Sequence, residues 1–295
     1  MTAPSPALPR PAATVLLLRD CDRGLEVFME RRHLHSGFVG GAYVFPGGVV
    51  DPEDHFDESL CVGIDEGTAS RTLELDHGGL AYWVAAIREC FEESGVLLAY
   101  DASGRLLDFS DPAVEERYRE LRQRLNDSAI TLEELAREHR LRLATDRVAY
   151  WSHWVTPVGE GRRYDTRFFA AQSPSAQTAE HDDHELTDSA WVTPLEALDR
   201  GAARDWFIIF PTVRTLLKLA EFRTADDALA WARSAREIPR NQPKVDFLQD
   251  PPRVVLPEDA GYAGAEEDIR SVDPRTWFAW VDEYRALRAR GWPER

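Results

Sequence analysis

The sequence is short of cysteine, of net positive charge and of long apolar runs, and each shortage excludes something. Its three cysteines, Cys21, Cys61 and Cys90, are odd in number and widely spaced, with no C-x-x-C pair. They form neither a closed disulfide framework nor a zinc motif. Against 52 Asp and Glu stand only 35 Lys and Arg, a net charge of −17 over 295 residues. Such a surface repels nucleic acid in bulk and anionic membranes, although a polyanionic small molecule remains admissible if a basic pocket or a metal ion receives it. No apolar stretch approaches the roughly 18 residues of a membrane helix. The Pro/Ala-rich segment Met1–Ala13 has no basic start followed by an apolar run, so it does not read as a signal peptide. A reduced, cytoplasmic protein is the expectation. The histidines show no H-E-x-x-H, and Gly47-Gly48 lacks the Gly-Lys-Ser/Thr ending of a nucleoside-triphosphate loop.

What is present suits a soluble globular chain, with 43% hydrophobic and 29% charged residues. Thr14–Arg19 and Leu25–Arg31 read as two strands joined by a hairpin-like loop, and Tyr43–Phe45 as a third ending in a sharp turn at Pro46-Gly47-Gly48. A helix is expected over Gly79–Ser94, stopped at Gly95, with further helices within 111–140, where Thr131-x-x-Glu134 is a capping box. Extended segments follow at Val148–Thr156, Arg167–Ala171 and Ala190–Val192. Helices are then expected at Pro194–Arg200, Thr212–Phe222, Ala225–Arg236 and, amphipathic, Trp277–Arg290. The order of elements indicates an α/β (α+β) fold, a mixed sheet with packed helices.

The segment Ala85–Val96 is the most informative. At about 100° per residue, Leu80, Val84, Ile87 and Phe91 form a narrow apolar stripe, and Glu89, Glu92 and Glu93 lie roughly opposite it, with Ala85 and Ala86 beside them. Carboxylates at that spacing repel. Either they form a solvated acidic face, or a hard divalent cation offsets the repulsion, Mg²⁺ being suited to one or two carboxylates plus substrate phosphates. On the second reading the small Ala85 and Ala86 admit a phosphate, and Arg88 orients a glutamate from behind. Cys90 reads as a small buried apolar residue, not a nucleophile.

Together, Tyr43-Val44-Phe45-Pro46-Gly47-Gly48 and Arg88-Glu89-x-x-Glu92-Glu93-x-Gly95-Val96 resemble the signature of the Nudix hydrolases, G-x5-E-x7-R-E-U-x-E-E-x-G-U, where U is bulky and apolar. Gly48 matches the opening glycine, Asp54 stands at the first glutamate, and Cys90 replaces an aliphatic residue. Between Asp54 and Arg88 there are 33 residues where the pattern has seven. A 26-residue insertion leaving as a surface loop costs little entropy.

The resemblance implies a Nudix-type α/β/α sandwich with a mixed sheet, a helical insertion and a C-terminal helical extension. It divides the chain into a flexible 1–11, a Nudix domain over 12–210 with insertions at about 55–80 and 111–145, and an extension at 211–295 packed on the core. It implies hydrolysis of the pyrophosphate bond in a nucleoside diphosphate linked to another moiety. Mg²⁺ or Mn²⁺ would be held by Glu89, Glu92, Glu93 and the Gly48 carbonyl. The catalytic residues implied are Glu89, Glu93 and Arg88, with Glu185, shortly before Trp191, as a distal base. The split box, Phe28–His33 and the block His153–Phe169 are similar to the coenzyme A diphosphatase branch, although Gly37 stands where that branch has a second arginine. Coenzyme A or acyl-coenzyme A is therefore the first substrate expected. ADP-ribose, NADH-like dinucleotides and nucleotide sugars are alternatives, and a non-catalytic ligand sensor is a reading of another class. Arg31, Arg32, Arg163 and Arg167 are the candidate cations for the substrate. Neither bulk nucleic acid nor membrane is an expected partner, and a homodimer is left open.

Overall fold

The computed structural model describes residues 7–34, 39–180, 186–234 and 237–293. The β-branched and aliphatic N-terminal run forms β1 (Arg10–Cys21), which turns back antiparallel as β2 (Gly24–Arg32). Next come β3 (Ala42–Val44), paired with β2, and β4 (Gly47–Val49), paired antiparallel with β1. Gly47-Gly48 is thus strand as well as turn. The inserted segment carries α1 (Glu66–Thr72) and leads into α2 (Leu80–Ser94), which ends at Gly95 in the left-handed region at φ 76°. Gly tolerates that conformation without a Cβ penalty.

A second excursion consists of β5 (Ala99–Tyr100), α3 (Pro112–Asn126), α4 (Leu132–Glu138) and β6 (Arg142–Leu143), with β6 returning to pair with β5. The Thr131–Glu134 capping box is formed as expected. The main sheet continues with β7 (Ala149–Val155), β8 (Tyr164–Gln172) and β9 (Leu186–Val192). The chain closes with α5 (Pro194–Ala203), β10 (Phe207–Ile208), α6 (Phe210–Leu219), α7 (Ala225–Arg233), β11 (Arg240–Asn241), a hairpin of β12 (Lys244–Asp246) and β13 (Arg253–Val255), and α8 (Trp280–Ala289). Sheet order is β10-β3-β2-β1-β8-β7-β11, with β4 also on β1 and β9 also on β2. The β1–β8 pair is parallel between antiparallel neighbours, so the sheet is mixed.

Successive residues of a strand face opposite sides, and here both sides are covered. Ala13, Val15, Leu17 and Phe28 pack against α2 and the elements around it. Leu16, Leu18, Val27 and Met29 pack against residues of α5, α6, α7 and α8. This is the expected three-layer α/β/α arrangement. The 55–80 insertion, expected as a surface loop, is partly core: Cys61, Ala69 and Leu73 are buried against α2. Hydrophobic residues spaced along the insertion gain more by docking than by remaining in water.

Candidate active site

The apolar stripe of α2 is buried as its spacing requires, with Leu80, Val84, Ile87 and Phe91 all at most 3% exposed. Burying each such side chain contributes about 2 kcal/mol, whereas like-charge pairs on a helix cost about 0.2–0.5 kcal/mol each. Packing therefore wins over the repulsion of the glutamates. The acidic side is not a solvated face either: Glu89 and Glu93 are 9% and 8% exposed. Ala85 and Ala86, expected to flank a phosphate, are both 0% exposed and belong to the core cluster. α2 is enclosed nearly all round, so its small residues meet neighbouring elements rather than substrate.

Arg88 organises the acidic side. Its Nε and Nη2 donate to the two carboxylate oxygens of Asp54 at 2.8 and 2.9 Å, Nη1 to Glu89 at 2.8 Å and to Glu92 at 2.7 Å, and Nη2 also to the Val49 carbonyl at 2.8 Å. A guanidinium has five N–H donors, and these bonds use all of them. Asp54, which stands at the first glutamate of the split motif, is only 1% exposed and is the bidentate partner of Arg88. Glu93 accepts from the Gly47 N–H at 2.6 Å, tying α2 to β4. A side chain at Gly48 would occupy the space taken by the Glu89 carboxylate, so that position admits only glycine without displacing Glu89.

Burial pushes the Glu89 and Glu93 carboxyls well above the ordinary carboxylate range, and Glu92 is shifted in the same direction. For Glu93 the neighbouring Glu30 adds to the shift, while the Gly47 amide opposes it. The cluster holds more acid than its one enclosed guanidinium neutralises, which is the environment a hard divalent cation relieves. Among the described residues no group of three His, Cys, Asp or Glu side chains is placed to hold a metal ion, because Glu89 and Glu92 are drawn onto Arg88. Mg²⁺ needs only one or two carboxylates and keeps waters and substrate oxygens as its other ligands, so the chemistry of these donors fits a hard cation.

Gly48, Arg88, Glu89, Glu92 and Glu93 line a cleft of about 1300 Å³, together with Asp51 and with Asn126 from the end of α3. Arg32 also lines it. The other candidate arginines do not. Residues alternate along β2, so Arg31 lies on the opposite face, near Tyr43. On β8 the cleft receives Tyr164, Thr166 and Phe168, and the same alternation turns Arg163 and Arg167 away. Arg163 donates to the carbonyls of Thr156 and Ala7. Arg167, 4% exposed, contacts Asp165, His153 and the Leu73 carbonyl. Both are structural. Glu185 lies outside the described residues.

Arg162 and Trp154 line the cleft, and only the three-dimensional arrangement shows it. Arg162 shares the parity of Tyr164 and Thr166, but parity alone does not say which face carries the site. Trp154 depends on a bulge. In β7, Tyr150 faces Phe169 and Ser152 faces Phe168, so one extra residue reverses the alternation. That extra residue turns Trp154 into the cleft and His153 towards Arg167.

A sequence profile of the NUDT19 Nudix domain matches residues 66–219, more than half of the chain. The chain belongs to this family. The chicken (Gallus gallus) protein named acyl-coenzyme A diphosphatase NUDT19 is 29% identical over 90% of this chain and 84% of its own length. The human (Homo sapiens) protein of the same name is 26% identical over 93% and 80%. The crystal structure of a Nudix hydrolase from Alicyclobacillus acidocaldarius superposes with a TM-score of 0.59 at 24% identity, covering 76% of this chain and 96% of that one. The sandwich is thus a Nudix fold, and the chain is a Nudix pyrophosphohydrolase, of a family that works with divalent cations. Its acidic helix, α2, falls within the matched segment, whereas Gly48 and Asp54 precede it and α7 and α8 follow it. No helix among the described residues is long and apolar enough to cross a membrane.

Proposed function

We propose that this chain hydrolyses the pyrophosphate bond of coenzyme A or its acyl thioesters. The observation that carries the reading is the carboxylate cluster around Arg88 in the wall of a large cleft. The names of the chicken and human relatives supply the substrate class. Glu89, Glu92, Glu93 and the Gly48 carbonyl are the groups that would hold Mg²⁺ or Mn²⁺. Bound there, the cation neutralises the diphosphate and makes water a better nucleophile at neutral pH.

Water adds to one phosphorus, the bridging P–O bond breaks, and the leaving phosphate keeps the electron pair. The products are 3′-phosphoadenosine 5′-phosphate and the phosphopantetheine, acylated or free. Glu89 is the base we favour for the proton that water gives up, as a helix carboxylate that lines the cleft and is held by Arg88. Glu93 is its neighbour in the cluster, and Glu185 the distal alternative. Arg88 is a positioning residue, because all its donors are engaged within the protein. Arg32 and Arg162 line the cleft and are the arginines we assign to the phosphates. We take 12–210 as the catalytic unit and 211–295 as an extension packed on it.

The test incubates the full chain with coenzyme A, decanoyl-coenzyme A, ADP-ribose and NADH, with Mg²⁺ or Mn²⁺, and identifies products by mass. Cleavage of the coenzyme A compounds to 3′-phosphoadenosine 5′-phosphate is expected. Glu93→Gln should lower turnover by about 10²–10³-fold with an unchanged circular dichroism spectrum. Turnover confined to ADP-ribose or NADH overturns the substrate, and binding without turnover of any compound favours a sensor.

A further inference from the structure

We propose that Arg122, on α3 and outside the Arg88–Gly95 motif, is a positioning residue: it closes the last turn of α2 and so fixes the backbone from which Glu92 and Glu93 reach the cation. The inference rests on the metal assignment made above. The last four carbonyls of a helix have no partner within it, and in α2 these belong to Phe91, Glu92, Glu93 and Ser94. The Gly95 amide donates to the first and the Glu180 amide to the last, both at 2.9 Å. The middle two belong to the glutamates themselves, and one side chain takes both. Arg122 Nε donates to the Glu92 carbonyl at 2.9 Å, and Nη2 to the Glu93 carbonyl at 2.6 Å. Nη2 also donates to the Glu180 carbonyl at 3.1 Å, and Asn126 Nδ2, one turn further along α3, to that of Glu92 at 3.3 Å.

Helix ends fray, and here Glu89 repels Glu92 and Glu93 at i+3 and i+4. The guanidinium counters both tendencies. It ties down the terminal carbonyls and sets a positive charge where the helix dipole is negative. Its rigid fork of donors suits two successive carbonyls, whereas a lysine ammonium is a single point donor. Gly95 makes room for it: besides the φ of 76°, a Cβ there would lie 3.1 Å from Arg122 Nη1. The motif glycine thus serves the arginine as well as the turn. The described residues that line the cleft do not include Arg122, so it acts through α2 rather than on substrate.

Charge and position predict opposite signs. By Coulomb's law alone, removing a cation beside a metal site leaves divalent-cation binding unchanged or tighter. Removing a side chain that positions the carboxylates weakens it.

Titration of the full chain with Mn²⁺, followed by electron paramagnetic resonance without substrate, separates the two. The comparison takes wild type, Arg122→Ala, Arg122→Lys and Arg119→Ala, with circular dichroism to confirm folding. Arg119→Ala is the charge-matched control, since Arg119 is an exposed residue of α3 paired with Glu116. Arg122→Ala should bind Mn²⁺ about 10–100-fold more weakly. Arg122→Lys should also bind more weakly although it keeps the charge, and Arg119→Ala should match wild type. Unfolded chains lower the number of sites, not the affinity of the remainder. Affinity in Arg122→Ala equal to or above wild type, wild-type affinity in Arg122→Lys, or an equal loss in Arg119→Ala overturns the inference and leaves the metal assignment standing. Should Arg122→Ala not fold, the lysine variant decides. A wild type that holds no Mn²⁺ overturns both.

Discussion

The Arg88 guanidinium is held by three carboxylates and a carbonyl, and this defines the chemistry of its surroundings. Asp54 accepts two of its bonds from beneath, leaving Glu89 and Glu92 facing the cleft on the other side. A buried ion pair adds little net stability when it forms, but removing one partner strands the other charge. Asp54→Ala should therefore destabilise the protein by about 3 kcal/mol, read as a lower urea midpoint. It should also cut turnover, since Arg88 then no longer holds Glu89 in place. A midpoint equal to wild type would show that Arg88 finds a substitute partner. The carboxylate itself was legible in the sequence, because Asp54 stands six residues after Gly48. The bidentate pair was not, since 33 intervening residues leave the approach of Asp54 to Arg88 undetermined until the insertion folds.

At the scale of elements, α2 depends on the insertion that precedes it. Its first residues have no side-chain cap of their own, Gly79 being the N-cap. Glu66 of α1 supplies one: Oε1 accepts from the amides of Gly78 and Gly79 at 2.5 and 3.1 Å, and Oε2 from that of Leu80 at 3.0 Å. A helix N-terminus leaves its amides unsatisfied and favours negative charge. Burial raises the Glu66 pKa, but bonds from Ser70 and from the amides of Leu80, Gly78 and Gly79 outweigh it and hold the carboxyl below its ordinary value of 4.5. A carboxyl depressed in the folded state contributes stability above its unfolded pKa and loses it as pH falls through the folded one. Glu66→Gln should thus lower the melting temperature at pH 7, and the deficit should shrink below about pH 4. A deficit independent of pH would assign the effect to packing instead. The boundaries of α2, its core stripe and the capping box of α4 follow from local patterning and were readable. The bulge in β7 was not, because β-branched and aromatic runs fit a strand equally well with one residue more or less.

At the scale of the whole molecule, the C-terminal third is structural. Ala225, Ala228, Leu229, Trp280 and Tyr284 share one buried cluster with β1 and β2 residues Leu16, Val27 and Met29. A chain ending at residue 219 would expose that face of the sheet. It should lose cooperative unfolding in urea, whereas an independent accessory segment would leave the midpoint of the remainder unchanged. The net charge of −17 reads differently at this scale too. Part of the excess is enclosed: Glu89 and Glu93 are buried beside the cleft, where we propose that a divalent cation would meet a diphosphate. Sequence alone determined the type and order of the longer strands and helices, the family motif and the identity of the acidic cluster, though not α1 or the short strands β4–β6 and β10–β13. What was readable depends on residue spacing of a few positions, where the helix and strand periods are enforced locally. Only the tertiary structure decided which arginines reach the cleft, what supports Arg88 and what closes the last turn of α2. Each of these joins residues far apart in the chain, and a single bulge or a one-residue change of strand parity reverses which face a side chain occupies.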